Sequence, residues 1–139
     1  RRTPSGVLWA CIMRSLPGGG PGCCGPAFHV FAEKNGFSVV RDLCGHGIGQ
    51  QFHEAPQVLH YDRPGTLEEL RPGMIFTIEP MINAGKRDIK DGPEKDGWSI
   101  VTCDHSLSAQ WEHTVLVTGT GYDVLTRSSG TLPPPPGIG

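Results

Sequence analysis

Three segments of the sequence set an ionisable side chain among apolar residues or glycines. The first is Cys44-Gly-His46-Gly-Ile-Gly49, followed by Phe52-His53-Glu54. Glycines on both sides of His46 free the backbone to turn tightly and leave the imidazole unobstructed. Alone, this pattern also reads as a loop histidine with no chemical role. The second is Met74-Ile-Phe-Thr-Ile-Glu79-Pro80-Met81, where alternation puts Phe76 and Ile78 on one face of a strand and Thr77 and Glu79 on the other. A carboxylate at the end of an apolar strand is costly unless it is paired, hydrogen-bonded or bound to a metal. The proline after it ends the ladder. The third, Ser108-Ala-Gln110-Trp-Glu112-His113-Thr-Val-Leu-Val-Thr118, again sets a glutamate in a β-forming run. For either glutamate, an ion pair with Arg41, Arg87 or Lys95 is the plainer alternative. Taken together, His46, Glu79 and Glu112 form a mixed imidazole and carboxylate set that suits Mn, Fe, Co or Zn. A cation so held polarises a carbonyl and activates water, which is hydrolytic chemistry. His53 then serves as a hydrogen-bond partner for the scissile group.

The elements that must position these groups lie between about residues 27 and 127. Phe28, Phe31 and Ala32 fall at helical spacing, predicting a helix over Ala27–Asn35 that stops at Asn35-Gly36. Strands are predicted at Phe37–Val40, Met74–Met81, Ser99–Thr102, Gln110–Thr118 and Tyr122–Thr126, with a helical turn at Leu67–Leu70 before Pro72-Gly73. The class is α+β, strand-dominated. Residues 1–26 contain no acidic side chain and carry the run Pro17-Gly-Gly-Gly-Pro21-Gly22, so they read as a Gly/Pro-rich, non-native-like segment rather than an export signal. Residues 128–139 hold Pro133 to Pro136 and read as an extended tail. With 12 basic and 14 acidic side chains the net charge is −2, which gives no electrostatic footprint for nucleic acid or an anionic membrane. No apolar run is long enough for a transmembrane helix. The five cysteines lack a Cys-x-x-Cys pair, and reduced thiols in a cytoplasmic setting are expected.

Phe37 to Gly49, Phe52-His-Glu, Gln57-Val-Leu-His60-Tyr61, Pro72 to Ile82, Asp96-Gly-Trp98 and Ser108 to Thr114 occur in the order and spacing of a known family. They closely resemble the type I methionine aminopeptidases over about residues 27–127. The Ser-Ala-Gln-aromatic-Glu-His-Thr form separates this type from the prolidases and creatinases that share its fold. The resemblance implies the pita-bread fold, a curved antiparallel sheet with flanking helices, of which this chain is the C-terminal half. It implies His46, Glu79 and Glu112 as metal ligands, with Glu112 bridging two metals and Glu79 acting as general base. It also implies His53 on the substrate amide, and Phe52 and Trp98 lining the pocket for the methionine side chain. The implied reaction removes the initiator methionine from nascent polypeptides whose second residue is small, in the cytoplasm, by a monomer. Two aspartate ligands of the family come from its N-terminal half and have no counterpart upstream of Glu33, so a truncated chain holding at most one metal weakly is expected. The alternatives are an inactive peptide- or protein-binding module of the same fold, or an Xaa-Pro peptidase.

Overall fold

The computed structural model describes residues 24–63, 69–94 and 96–127. Helix α1 (Cys24–Lys34) leads into ten short strands, β1 (Ser38–Val39), β2 (Gly45–Gly47), β3 (Glu54–Val58), β4 (Ile75–Ile78), β5 (Met81–Asn83), β6 (Ile89–Asp91), β7 (Ile100–Thr102), β8 (Ser108–Gln110), β9 (His113–Val117) and β10 (Tyr122–Val124). Every strand pairing is antiparallel. Five strands form one sheet in the order β10-β9-β4-β2-β3, three form a second in the order β1-β5-β8, and β6 and β7 make a separate ribbon.

Helix α1 begins at Cys24, three residues ahead of the expected Ala27, with Pro26 in its first turn where a missing N–H costs nothing. Its end follows from Gly36, whose φ of 79° suits glycine. The Gly36 N–H donates to the Glu33 carbonyl and the Phe37 N–H to the Ala32 carbonyl, the paired bonds of a Schellman stop. Phe28 and Ala32 turn inward as their spacing requires, and join Val39, Val58, Leu70, Phe76, Ile78, Ile82, Val115 and Val117 in one core. No helix among the described residues is long and apolar enough to cross a membrane.

Two long strands expected from alternation are each broken in the middle. Met74–Met81 divides into β4 and β5, and Gln110–Thr118 belongs to β8 and β9, the halves of each lying in different sheets. The pairing register is the same on both sides of the break: Ile78 faces His113, and Met81 faces Gln110. A single antiparallel pair therefore passes from one sheet to the other through two facing interruptions, Glu79-Pro80 and Trp111-Glu112. Pro80 is buried there and supplies no N–H to a ladder. Strands β2, β3 and β6 carry no alternation that predicts them. Pro56 within β3 is tolerated because β3 is the outer strand of its sheet. The helical turn expected at Leu67–Leu70 falls largely outside the described residues, although Leu70 itself is buried.

Candidate metal centre

The facing breaks place two glutamates opposite one another. By register Glu79 lies opposite Glu112, and the negative charge of Glu112 is felt at Glu79. Glu112 is exposed and stands in the gap before β9, which corrects the expectation of a glutamate within a strand. Glu79 stands immediately after β4, as expected, with only 14% of its side chain exposed.

His46 reaches the same place from β2. It stands on a strand rather than in a loop, and its flanking glycines are required by close approach rather than by a turn. A Cβ on Gly45 would overlap the Thr77 carbonyl oxygen, and one on Gly47 would overlap that of Ala55. The two neighbouring strands thus close tightly over the His46 backbone. The imidazole Nδ1 lies 3.0 Å from the Gly47 carbonyl oxygen. A carbonyl only accepts, so Nδ1 carries a proton, and in the neutral ring Nε2 is then the nitrogen with the lone pair. That Nε2 faces Glu79 Oε1 at 3.5 Å. With the ring neutral these are two electron-rich atoms, relieved by a cation between them; with the ring protonated they are an ion pair.

Around this pair the hydrogen bonds are specific. Thr77 is fully buried, and its hydroxyl accepts the His46 N–H at 2.9 Å while donating to Glu79 Oε1 at 2.8 Å. The Glu79 N–H donates to His60 Nε2 at 3.2 Å, and Gln110 Nε2 donates to Glu79 Oε2 at 3.4 Å. Burial pushes the His60 imidazole down to about 4, so it is an uncharged acceptor. Burial also pushes the Glu79 carboxyl up; the Thr77 hydroxyl pulls it down, Glu112 raises it further, and His46 and His53 lower it. The Cys44 thiol is pushed up by its own burial and by Glu79. Cys44 and Cys103 are free thiols.

His53 and Phe52 complete the cluster from the segment leading into β3. The His46 and His53 rings are 4.1 Å apart, those of His46 and Phe52 5.6 Å, and those of Phe52 and His53 4.6 Å. Phe52 is 68% exposed, an apolar ring offered to solvent beside an acid and two imidazoles. Trp98 is not brought into this group. It lies between β6 and β7, 81% exposed, and its N–H donates to Asp96, whose carboxyl is held at about 2 by the Ser99 hydroxyl and the Ser99 and Trp98 amides. Arg41, one expected partner for a buried glutamate, is engaged elsewhere: it lies 3.3 Å from His29 and over the Tyr61 ring.

Among the described residues, no three His, Cys, Asp or Glu side chains gather closely enough to enclose a metal ion. The donor chemistry nevertheless fits one. His46 Nε2 and Glu79 Oε1 already converge, the imidazole being oriented by an outer hydrogen bond from Nδ1 and the carboxylate by a hydroxyl, as ligands of a metal are. Glu112 is the third donor within electrostatic reach. Thr77, Gln110 and His60 were not singled out for a role by residue type; only Thr77 carried a signal, its place on the same strand face as Glu79.

Residues 10–119 match the model of metallopeptidase family M24, a stretch that begins upstream of the boundary expected near residue 27. The chain is 58% identical over 110 residues to the methionine aminopeptidase of Escherichia coli strain K12, covering 78% of this chain and 41% of that protein. It is 50% identical over 134 residues to the methionine aminopeptidase of Rickettsia prowazekii, covering 94% and 51%. The crystal structure of methionine aminopeptidase from Thermotoga maritima superposes with a TM-score of 0.80 at 40% identity, covering 88% of this chain and 48% of that one. The chain thus spans about half the length of these relatives, and the α+β pita-bread expectation for its fold holds. With its strand arrangement and most of its length in accord, the chain belongs to metallopeptidase family M24.

Proposed function

We propose that this chain carries part of the active site of a metal-dependent methionine aminopeptidase, acting in the cytoplasm on nascent polypeptides that begin with methionine and a small residue. The observation that supports this most directly is the convergence of His46 Nε2 and Glu79 Oε1 at 3.5 Å, with Glu112 opposite Glu79 in the facing strand break. His46, Glu79 and Glu112 would hold the divalent cation, whether Mn, Fe, Co or Zn. When bound, the cation supplies Lewis acidity at the scissile carbonyl.

The remaining work falls to side chains. Glu79 is the general base: burial raises its proton affinity above that of an ordinary carboxylate, bringing it closer to what proton abstraction near neutral pH requires. Thr77 and Gln110 each hold one of its oxygens, so it takes up the proton from a fixed direction. His53, packed against His46, donates a hydrogen bond to the substrate amide. Phe52 gives the methionine side chain an apolar surface, while Trp98, the other residue expected there, stands apart on the β6–β7 turn.

Titration of the chain with Mn(II) or Co(II) in a calorimeter tests the reading, together with methionine release from Met-Ala-Ser. Saturable binding that disappears in His46→Ala and Glu79→Gln is expected, with methionine release preferred over cleavage of an Xaa-Pro peptide. Failure of both metals to bind would overturn it.

A further inference from the structure

Where β2 runs beside β4, the main-chain ladder lapses at the position that matters for the site. Gly47 pairs with Phe76 and the Ile48 N–H donates to the Ile75 carbonyl, but the recorded β2–β4 pairing does not continue to His46 and Thr77, and the His46 N–H donates to a side chain instead. The register between β2 and β3 also shifts between His46 and Gly47. The donor left over is taken by a side chain, the Thr77 hydroxyl, at 2.9 Å. That hydroxyl has one proton, and it points to Glu79 Oε1 at 2.8 Å; the His46 carbonyl, at 3.4 Å, is the weaker alternative. Thr77 is fully buried, so water does not compete for either bond.

From this geometry we infer that Thr77 is a positioning residue that locks the His46 backbone and the Glu79 carboxylate into one rigid unit, fixing how far apart these two donors stand. The inference rests on the metal-centre reading above for its consequence, but not for its geometry. Three features make the hydroxyl specific. It accepts from one candidate ligand and donates to the other, a polarity that a thiol reproduces poorly and a methyl group not at all. It binds Oε1, the oxygen that faces His46 Nε2, so Glu79 is held with that edge turned toward the imidazole. And the β-branched side chain holds the hydroxyl in a restricted χ1 well, where serine is freer. Removing outer hydrogen bonds of this kind typically costs roughly 10- to 100-fold in metal affinity.

The test compares Thr77→Val, which keeps the shape and loses the hydroxyl, with Thr77→Ser, which keeps the hydroxyl. Amide hydrogen exchange at His46 and the Glu79 side-chain carboxyl resonance, both read without metal, report the two bonds directly. Slow exchange at His46 is expected in wild type and Thr77→Ser, and fast exchange with a displaced Glu79 resonance in Thr77→Val. Mn(II) affinity measured by calorimetry should fall roughly 10-fold or more in Thr77→Val and recover to within a few-fold in Thr77→Ser. Unprotected His46 exchange in the wild-type chain overturns the inference, and does so even if Thr77→Val fails to fold. Equal Mn(II) affinity of wild type and Thr77→Val also overturns it. If wild type binds no Mn(II) while the metal-free readouts move as expected, the metal-centre reading fails and the positioning role of Thr77 stands.

Discussion

His60 is a buried imidazole whose charge state ties the stability of the chain to pH. It is 2% exposed, its Nε2 accepts the Glu79 N–H, and the Phe28 ring stands edge-on at 6.3 Å. Burial moves it from 6.5 in the unfolded chain to about 4 in the fold. Between those values the unfolded chain binds the extra proton, so stability rises with pH through that window and is fully present above about 6.5. Conversely, acidification from pH 7.5 withdraws it, and below about 4 both states are protonated and the loss stops. The full gap is worth about 3 kcal/mol at about 1.4 kcal/mol per pH unit, of which about 2 kcal/mol is lost by pH 5. Urea unfolding of wild type and His60→Gln at pH 7.5, 6, 5 and 4.5 measures it. Glutamine keeps an acceptor for the Glu79 N–H but does not titrate, so the variant's curve should lack this slope while other groups contribute equally to both. Parallel pH profiles for the two proteins would refute the reasoning, because the imidazole would then be taking up its proton in the folded state as readily as in the unfolded one.

Gly47→Ala places a methyl group against the Ala55 carbonyl oxygen, where neither backbone can withdraw without opening the sheet. A loss of about 3 kcal/mol or more is expected, seen as a lowered urea midpoint or an unfolded circular dichroism spectrum. Glu79→Gln in the metal-free chain should leave Tm at pH 7 unchanged or higher. The raised carboxyl opposes folding once ionised, and the difference between the proteins should vanish as pH falls below the ordinary carboxyl value of 4.5 and both states of wild type are protonated. Phe52→Ala, at a site 68% exposed, should change stability by no more than about 0.5 kcal/mol, yet slow methionine release from Met-Ala-Ser by loss of apolar contact. A large fall in the urea midpoint of Phe52→Ala would show that the ring belongs to the core instead.

The elements that carry a strong local signal are legible in the sequence. In α1, Phe28, Phe31 and Ala32 recur at helical spacing and Asn35-Gly36 marks the stop, so both the buried face and the end were legible. The β4 and β9 cores were legible for the same reason, as runs of β-branched and aromatic residues. Strands β2 and β3 were not. Gly45-His46-Gly47 has no side chain that favours extended structure, and Pro56 argues against a strand; both pair because β4 and the outer position of the sheet hold them, which no local pattern records. The site divides along the same line. Glu79, Glu112 and His46 stood out because charge or imidazole in an apolar or glycine-rich run needs an explanation. Thr77 and His60 did not, since a threonine in a strand and a histidine between Leu59 and Tyr61 are ordinary, and their roles exist only once β4 lies beside β2 and the segment after β3.

The matched breaks explain why a fold this small can hold two acidic groups so close to its core. Within an unbroken pair, Glu79 and Glu112 would each sit on a ladder with neighbours fixed by the pleat, and like charges directly opposite one another destabilise a sheet. Interrupting both strands at the same register removes that constraint. Ile78 and His113 still pair below the gap, and Met81 and Gln110 above it, so the carboxylates are placed by the sheet without being part of it. What remains is the cost of the Glu79 charge, raised first by burial and further by Glu112, and it is offset from three sides by the Thr77 hydroxyl, the Gln110 amide and the two imidazoles. Those groups offset the charge of Glu79 but leave Glu112 opposite it. An arrangement that carries this residual repulsion in the folded state would gain from a divalent cation, because positive charge held by His46 and Glu79, as proposed above, would also reduce the opposition between the two acids.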